Sequence, residues 1–261
     1  MKLDIKGVKA GLKNKLIEDI KYYESVTSTN KVALNMEEEN IKEGLVIVGG
    51  EQTKGRGRLK RNWHSPKDLG LWFSIILTPK KDPERIPLLT LIGALSVHDA
   101  IKNIGIETDL KWPNDILYKN KKLCGVLSQF KSSGNNIERV VVGIGLNVNQ
   151  KEFPRVIKND SISLRMIKGE IIDREKILTD ILNKFAYYYT KFQKGEYISI
   201  IEIWKKEMTM LNKKITVNTA KDEQYKGKVV DITENGALII EQQDKTRKTL
   251  IAGDVSIDKK P

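Results

Sequence analysis

Short apolar runs separated by glycines, prolines and charged residues divide the first two thirds of the chain into strands and helices. Two such runs, at 45–48 and 71–77, are bounded by glycines and prolines, as buried strands are. Apolar positions at helical spacing predict a helix over 88–104, which ends at a glycine. Further strands are predicted around 106–111, 123–130 and 140–148. These elements predict a mixed β-sheet with flanking helices, an α+β fold.

The last third of the chain changes character. Helical spacing of apolar residues predicts two helices, at 174–192 and 198–208. From about Lys213 the pattern becomes short alternating runs with an Asn235-Gly236 hairpin turn, which predicts a small all-β barrel. Its strands are predicted at 215–217, 227–232, 237–240, 249–251 and 255–257. We therefore expect an N-terminal extension over 1–20, a main domain over 21–210 and a β domain over 211–261.

Composition excludes several classes of protein. A chain of 261 residues can bury a full core, and its single cysteine, Cys124, cannot form an intramolecular disulfide. No apolar run approaches the roughly 20 residues that span a bilayer, and the N-terminus lacks the pattern of a secretion signal. We expect a reduced, cytoplasmic protein without membrane contact. The net charge of +12 comes mostly from lysines spread along the chain, so it says little about partners.

One basic segment stands out from this background. Of 46 Lys plus Arg residues only nine are Arg, and Arg56, Arg58 and Arg61 lie within six positions. A guanidinium group can bind phosphate or carboxylate oxygens at two points, which a lysine cannot do. Gly55 and Gly57 let the backbone approach a ligand closely. The segment predicts an anion-binding loop; the alternative is a solvated basic turn.

A second group of polar residues follows a predicted strand. Residues 111–117 read Lys-Trp-Pro-Asn-Asp-Ile-Leu, and Pro113 indicates a turn or sheet edge that a ligand could reach. The next strand begins at residue 121, so a short hairpin brings Lys122 back near Asp115. The alternative is a hairpin solvated by its lysines.

Two further segments are less specific. The stretch 143–149, Gly-Ile-Gly-Leu-Asn-Val-Asn, lacks the third glycine and following helix of a dinucleotide-binding fingerprint. It is interpreted instead as a glycine-bearing strand over which a flat ligand can lie. Ser28-Thr29-Asn30 precedes a helical run and, taken alone, is explained by helix capping.

Taken together and in this order, the five segments closely resemble those of biotin protein ligases, from about Tyr22 to the C-terminus. The resemblance implies a catalytic domain like that of class II synthetases over 21–210, followed by an SH3-like β-barrel. It also implies the reaction: biotin and ATP give biotinyl-5'-adenylate, and a lysine of a biotin carboxyl carrier protein then takes the biotin.

The resemblance assigns site residues by motif. It implies that biotin is bound by Ser28, Thr29, Asn30, Gln52, Arg56, Gly57, Arg58 and Lys122. It implies that ATP and the adenylate are bound by Arg56, Arg58, Arg61, Trp63, Lys111, Asn114 and Asn147. It implies catalytic roles for Lys122, Arg58 and Asp115. Asp115 is also the residue expected to orient Mg²⁺. Packing accounts for Trp63 and Trp112 better than adenine stacking does.

The expected partners are biotin, ATP with Mg²⁺ and the carrier protein, and a homodimer is left open. Residues 1–20 are too few for a helix-turn-helix domain, so no DNA binding is expected from this chain. Two alternatives are kept: a lipoate or octanoate ligase of the same fold, and a basic RNA-binding protein that uses the terminal barrel.

Overall fold

A computed structural model describes residues 2–79, 83–134, 136–219 and 223–257. Met1 of the predicted extension and 258–261 of the predicted β domain lie outside the described residues. The helices are α1 (Ile5–Ala10), α2 (Thr29–Leu34), α3 (Leu88–Lys102), α4 (Leu164–Lys168), α5 (Arg174–Gln193) and α6 (Tyr197–Glu207). The strands of the main sheet are β1 (Ile20–Val26), β2 (Val46–Gln52), β3 (Gly70–Leu77), β4 (Asp109–Lys111), β5 (Asp115–Tyr118), β6 (Lys121–Ser133) and β7 (Asn136–Asn147).

The main sheet is mixed and has the strand order β1-β2-β3-β7-β6-β5-β4. β1 and β2 run parallel, and the remaining neighbours are antiparallel. β3 is an interior strand and is buried on both faces, which explains its nearly continuous apolar run. The predicted mixed sheet with flanking helices is confirmed.

Alternate side chains of β3 serve two different layers, because successive residues of a strand point to opposite faces. Phe73 and Ile75 belong to the large core formed with α3 and α5. Ile76 belongs to a small second core together with Ala33 of α2. The short helix α2 therefore covers the face of the sheet opposite α3 and α5.

The C-terminal domain is a small antiparallel sheet, as the alternating pattern predicts. Its strand order is β11-β10-β9-β8-β12. The strands are β8 (Lys214–Asn218), β9 (Gln224–Ile232), β10 (Leu238–Glu241), β11 (Arg247–Leu250) and β12 (Asp254–Ile257). The predicted turn at Asn235-Gly236 joins β9 to β10, and Gly236 has φ +81°, which favours glycine. A Cβ at this glycine would also press against Leu91 of α3.

The turn between β9 and β10 contacts the main domain. Trp112 Nε1 donates to Gly236 O at 2.8 Å, and the Trp112 side chain is buried. The ion pair Lys205–Asp231, with Nζ and Oδ1 2.5 Å apart, adds a second link from α6 to β9. The packing interpretation of Trp112 is confirmed.

The predicted N-terminal extension is part of the main domain's core. Leu3, Val8 and Ile17 are buried in the large cluster, and α1 lies against α5. Asn183 of α5 accepts from the Lys13 backbone and donates to Gly11 O. The first residues therefore pack as an element of the fold rather than as a detached tail.

Two strands were absent from the sequence prediction. β1 is an edge strand of mixed character, Ile-Lys-Tyr-Tyr-Glu-Ser-Val, with a largely exposed middle. β5 is four residues long and follows the Pro113 turn directly. Both lack the apolar run by which the buried strands were found. Among the described residues, no helix combines the length and the apolar character that crossing a membrane requires.

Candidate active site

A cavity of about 270 Å³ lies between the main sheet, the arginine-rich loop and the start of β12. It brings together all but one of the residues that the sequence nominated. Lining it are Ser28, Thr29, Asn30, Gln52, Arg56, Gly57, Arg58, Arg61, Trp63, Asn114, Asp115, Lys122 and Asn147. Lys111, on β4, does not line it, so the cavity gives no support to a phosphate contact there.

One end of the cavity is a buried hydrogen-bond network centred on α2. The Thr29 backbone N–H donates to Gln52 Oε1 at 2.9 Å. Ser74 Oγ lies 2.7 Å from both Thr29 Oγ1 and Asn30 Oδ1. Asn30 Nδ2 donates to Leu127 O and to a second acceptor on β6, at 3.0 and 2.9 Å. These bonds fix the residues at the start of α2 before any ligand arrives.

The directions of these bonds determine what each group offers a ligand. Asn30 Oδ1 can only accept, so the single Ser74 hydroxyl proton is donated to it. Thr29 Oγ1 therefore donates to Ser74 or to Gln52, which leaves its lone pairs as acceptors at the cavity wall. Asn30 has its Oδ1 and both donors engaged within the protein, so its contribution is to support the site.

Glycines of β7 make room for protein side chains at this end. A Cβ on Gly143 would overlap the Asn30 amide, and a Cβ on Gly145 would overlap the Trp63 indole. The sequence had interpreted this strand as one over which a flat ligand lies. At these two positions an amide and an indole of the chain itself lie against the strand, and Gly143 and Gly145 also line the cavity, so the interpretation stays a prediction.

The other end of the cavity is charged. Lys122 Nζ lies 2.7 Å from Asp115 Oδ1, and the β5–β6 hairpin joins the two residues as predicted. The same ammonium lies 5.3 Å from the centre of the Trp63 ring. Lys122 is about one third exposed, so its charge remains accessible from the cavity.

The arginine loop is held by the main domain and by the small one. Arg58 donates to Asn114 Oδ1 and to Gly253 O, each at 3.1 Å. Burial lowers the pKa of Arg58, while the carboxylates of Asp115 and Asp254 oppose that shift. Arg61 Nη2 lies 2.5 Å from Asp254 Oδ2. The loop thus closes the cavity partly through contacts with the start of β12.

The remaining nominated side chains are mostly engaged within the protein. Asn114 Nδ2 donates to Val126 O, and Asn147 Nδ2 donates to Ile162 O. The buried Trp63 Nε1 has no hydrogen-bond partner among the described residues. His64 lines the cavity rim, and burial lowers the pKa of its imidazole. Burial also raises the pKa of Cys124, in keeping with its predicted role as a small buried hydrophobe.

Sequence reasoning missed several residues of the site. Ser74, a fully buried hydroxyl in the otherwise apolar strand β3, was the one with a visible signal. The segment 153–161 carries no motif, yet Phe153, Ile157 and Asp160 line the cavity. It is placed by backbone bonds from Lys122 N to Asp160 O and from Ile162 N to Lys122 O.

Metal-binding capacity at the site is limited to isolated carboxylates. The described residues contain no cluster of three or more His, Cys, Asp or Glu side chains arranged for a metal ion. Asp115 Oδ1 is buried and faces Lys122. One carboxylate beside an arginine-rich loop fits the expectation for Mg²⁺, which usually binds through one or two carboxylates together with substrate phosphates.

Comparison with known proteins agrees with both domains. Residues 22–147 match the Biotin/lipoate A/B protein ligase family, and residues 210–258 match the Biotin protein ligase C terminal domain. The bifunctional ligase/repressor BirA of Bacillus subtilis is 34% identical over 251 residues, which are 95% of this chain and 77% of that protein. The chain therefore belongs to the biotin protein ligase family.

Solved structures agree as well. The biotin protein ligase from Aquifex aeolicus in complex with biotin and ATP superposes with a TM-score of 0.81 and 31% identity, covering 94% of this chain and all of that one. The biotin--[acetyl-CoA-carboxylase] ligase of Paracoccus denitrificans is 26% identical over 219 residues, 82% of this chain and 90% of that protein. None of these relatives supports the lipoate or RNA-binding alternative.

Proposed function

We propose that this chain is an ATP-dependent biotin protein ligase. The observation that carries this assignment is the single cavity with two unlike ends: buried, oriented polar groups around α2, and Arg58, Arg61 and Lys122 at the other end. A small neutral ring with amide-like groups suits the first end, and a triphosphate suits the second. The relative from Aquifex aeolicus is described in complex with biotin and ATP.

The reaction has two steps. A carboxylate oxygen of biotin attacks the α-phosphorus of ATP, the bond to the bridging oxygen breaks, and pyrophosphate leaves. The amine nitrogen of a carrier-protein lysine then attacks the acyl carbon of the adenylate. The bond from this carbon to the AMP oxygen breaks and the amine loses a proton, giving biotinyl-lysine and AMP. Neither step requires a nucleophile from the enzyme.

Thr29 and its neighbours bind the ureido ring. The Thr29 hydroxyl proton is engaged with Ser74 or Gln52, so its oxygen accepts from a ureido N–H. Ser28 makes no side-chain capping bond, which leaves its hydroxyl as a donor for the ureido carbonyl. Asn30 supports these groups from behind.

Lys122 acts between the two substrates. Its ammonium offsets the repulsion between the biotin carboxylate and the α-phosphate, and it stabilises the charge that develops during adenylation. In the free enzyme Asp115 pairs with this ammonium. A substrate anion therefore replaces or joins an existing carboxylate, and until it arrives Asp115 holds the ammonium in place.

The arginines and the amides of the cavity bind the nucleotide. Arg58, with Arg56, covers the adenylate, and Arg61 binds the leaving pyrophosphate. Mg²⁺ would be held by Asp115 together with phosphate oxygens, where it would neutralise phosphate charge. Asn114 and Asn147 lie at the adenine side, and Trp63 lies over Gly125 and Gly145 next to Lys122.

The macromolecular substrate is a biotin carboxyl carrier protein. The names of several relatives specify acetyl-CoA carboxylase as the acceptor, including that of the Paracoccus denitrificans ligase. Transfer from an enzyme-bound adenylate requires the acceptor lysine to enter the cavity, which the arginine loop lines. The acceptor must therefore present its lysine on a protruding turn.

Biotin-dependent exchange of pyrophosphate into ATP tests the assignment. We expect exchange with biotin and Mg²⁺, and none with lipoate or octanoate in place of biotin. Thermal shifts with each acid plus ATP provide an independent comparison. Exchange that prefers lipoate would assign the chain to the other branch of the family, and no exchange with either acid would overturn the adenylation chemistry.

A further inference from the structure

One face of β7 runs beneath the whole length of α2. Residues 139, 141, 143 and 145 alternate onto this face, since side chains two apart in a strand share a face. Val141 packs with Ala33, in the second half of α2. Gly143 leaves room for Asn30 at the start of the helix. Arg139 lies at the other end of the face, where α2 finishes.

Arg139 binds the open end of α2. Its Nη1 lies 2.7 Å from Met36 O, 3.3 Å from Ala33 O and 3.4 Å from Leu34 O. The last carbonyls of a helix have no partner within the helix, and a cation near them also suits the helix dipole. The guanidinium thus caps α2 from the sheet.

Burying an arginine here costs more free energy than burying an apolar side chain that would fill the same space. Its side chain is 1% exposed, and no carboxylate among the described residues forms an ion pair with it. The neighbouring acid, Glu138, is 2.9 Å from Lys131 instead. A buried charge without a counter-ion is costly unless the groups that surround it need it. Here the groups that need it are the carbonyls of α2.

The helix depends on such contacts because it is short. α2 has six residues, and isolated helices below about 12 residues are marginal in water. Ser28 makes no side-chain capping bond, and Gln52 takes the first backbone donor instead. Side chains from the sheet therefore hold both ends of α2, Gln52 at the start and Arg139 at the finish.

We propose that Arg139 is a positioning residue for biotin: by capping α2 it sets where Thr29 stands in the cavity, although it never touches the substrate. The inference rests on the proposed function, since it assigns α2 to the biotin end. The nucleotide end is built from β5, β6 and the arginine loop, so it does not depend on α2. Loss of the cap should therefore lower the affinity for biotin and leave KM for ATP unchanged.

The test uses Arg139→Met, which keeps length but removes the donors, and Arg139→Lys, which keeps a charge. Biotin dissociation constants are measured by calorimetry on the folded proteins, and KM for ATP by pyrophosphate exchange at saturating biotin. We expect Arg139→Met to weaken biotin about tenfold or more, with less than about twofold change in KM for ATP. Arg139→Lys should recover part of the loss. Amide exchange in α2 should be faster in both variants.

Tyr188→Phe is the matched control, because it removes a buried hydrogen bond to Asp99 in the helix layer without contacting α2. It should lower thermal stability and leave biotin affinity unchanged. Equal biotin affinity in wild type and Arg139→Met would overturn the inference. A parallel loss of affinity for biotin and for ATP would overturn it as well. If Arg139→Met does not fold, the biotin dissociation constant and the KM for ATP of Arg139→Lys provide the same test. Failure of the wild type itself to bind biotin would instead overturn the proposed function.

Discussion

The two ends of the cavity are prepared for their ligands in opposite ways. At the α2 end, Thr29, Asn30 and Gln52 are fixed by short hydrogen bonds within the protein, and the polarity each one offers is already determined. At the nucleotide end, Lys122 and Arg61 are paired with carboxylates. The α2 end is therefore a template whose groups are already in position. At the other end, a phosphate would have to compete with Asp115 and Asp254 for the cations.

This difference follows from the chemistry of each ligand. A neutral ureido ring gains little from charge and much from groups already in position, because ordering them on binding would cost conformational entropy. A triphosphate brings its own strong charge, so competition with a resident carboxylate keeps the cations in place at modest cost. Variants at the two ends should therefore fail in different ways.

Lys122→Ala should give the largest effect. In the proposed function the ammonium stabilises the transition state of adenylation, and loss of one such electrostatic group typically costs about a hundredfold or more in rate. Pyrophosphate exchange measures this step directly. Lys121→Ala is the control, because Lys121 is the preceding residue of β6 and does not line the cavity. Similar, near-wild-type exchange rates in both variants would show that this hairpin is only a solvated turn without a catalytic lysine.

Arg58→Gly should release the adenylate. The guanidinium is partly buried and bonded to Asn114 and Gly253, and the proposed function has it cover the nucleotide; a charged hydrogen bond is worth about 1.5–3 kcal/mol. We expect the adenylate to dissociate about ten to a hundred times faster, measured by rapid dilution of the loaded enzyme.

Lys60→Gly provides the control for this loop, because Lys60 is exposed and has φ +59°, so glycine is tolerated there. Released adenylate should also label bystander proteins on their lysines in the Arg58→Gly reaction alone. Unchanged selectivity with an unchanged dissociation rate would remove Arg58 from the site.

The charged end was predictable from sequence because its residues carry their own signal. Arg56, Arg58 and Arg61 break a lysine-rich background, and a two-residue turn brings the Lys122 side chain back to Asp115. The template end was predicted less completely. Ser74 comes from a distant strand, and its partnership with Thr29 exists only once β3 passes beneath α2. No local pattern encodes a contact between residues 45 positions apart in the chain.

The fold shows the same division. Buried strands such as β3 and β7 were found from their apolar runs, and the barrel from its alternation and turn. β1 was missed because an edge strand buries too little to show a pattern. The N-terminal extension expected over 1–20 packs into the main domain instead, because α1 contacts α5, which lies far along the chain and leaves no local pattern.

Ser74→Ala tests the template end. Removal of this hydroxyl leaves Asn30 Oδ1 buried without its donor, and an unsatisfied buried group costs about 1–3 kcal/mol. We expect biotin affinity to fall about tenfold, measured by calorimetry, with KM for ATP unchanged. Ser96→Ala is the control, since Ser96 bonds only to the carbonyl of Ile92 within α3 among the described contacts. Equal losses of both substrates would contradict the division of the cavity.

Asp254→Asn tests the competition at the charged end. Arg61 loses its carboxylate partner and becomes free for pyrophosphate, so KM for ATP should fall by a few-fold at low salt. The difference should shrink at high ionic strength, where exposed charges are screened. Because the pair is exposed, unfolding free energy should change by less than about 1 kcal/mol. A rise in KM would instead show that Asp254 holds the arginine loop in its working position.

The smallest effect is expected away from the cavity, in the layer formed by helices α3, α5 and α6. Burial lowers the pKa of His98, and Glu207 and Asp99 oppose this only in part, with Lys102 acting in the same sense as burial. The imidazole contacts Thr108 Oγ1 at 2.8 Å and is neutral when the protein is folded near pH 7. As pH falls below the ordinary histidine pKa of about 6.5, the unfolded chain takes up a proton before the folded one does. Stability contributed by His98 is therefore present above that pH and is lost below it.

Thermal unfolding at several pH values between 7.5 and 5.5 measures this contribution. The wild-type melting temperature should fall more steeply with acid than that of His98→Gln, which does not titrate in this range. Since the helix layer lies on the opposite face of the sheet from α2, KM for biotin and for ATP should be the same in the two proteins at each pH where both are folded. If the two melting temperatures fall in parallel with acid, the pKa of His98 is the same in the folded and unfolded chain, which would contradict the lowered pKa. A change in either KM would show that the α2 end of the cavity is coupled to the layer of helices α3, α5 and α6.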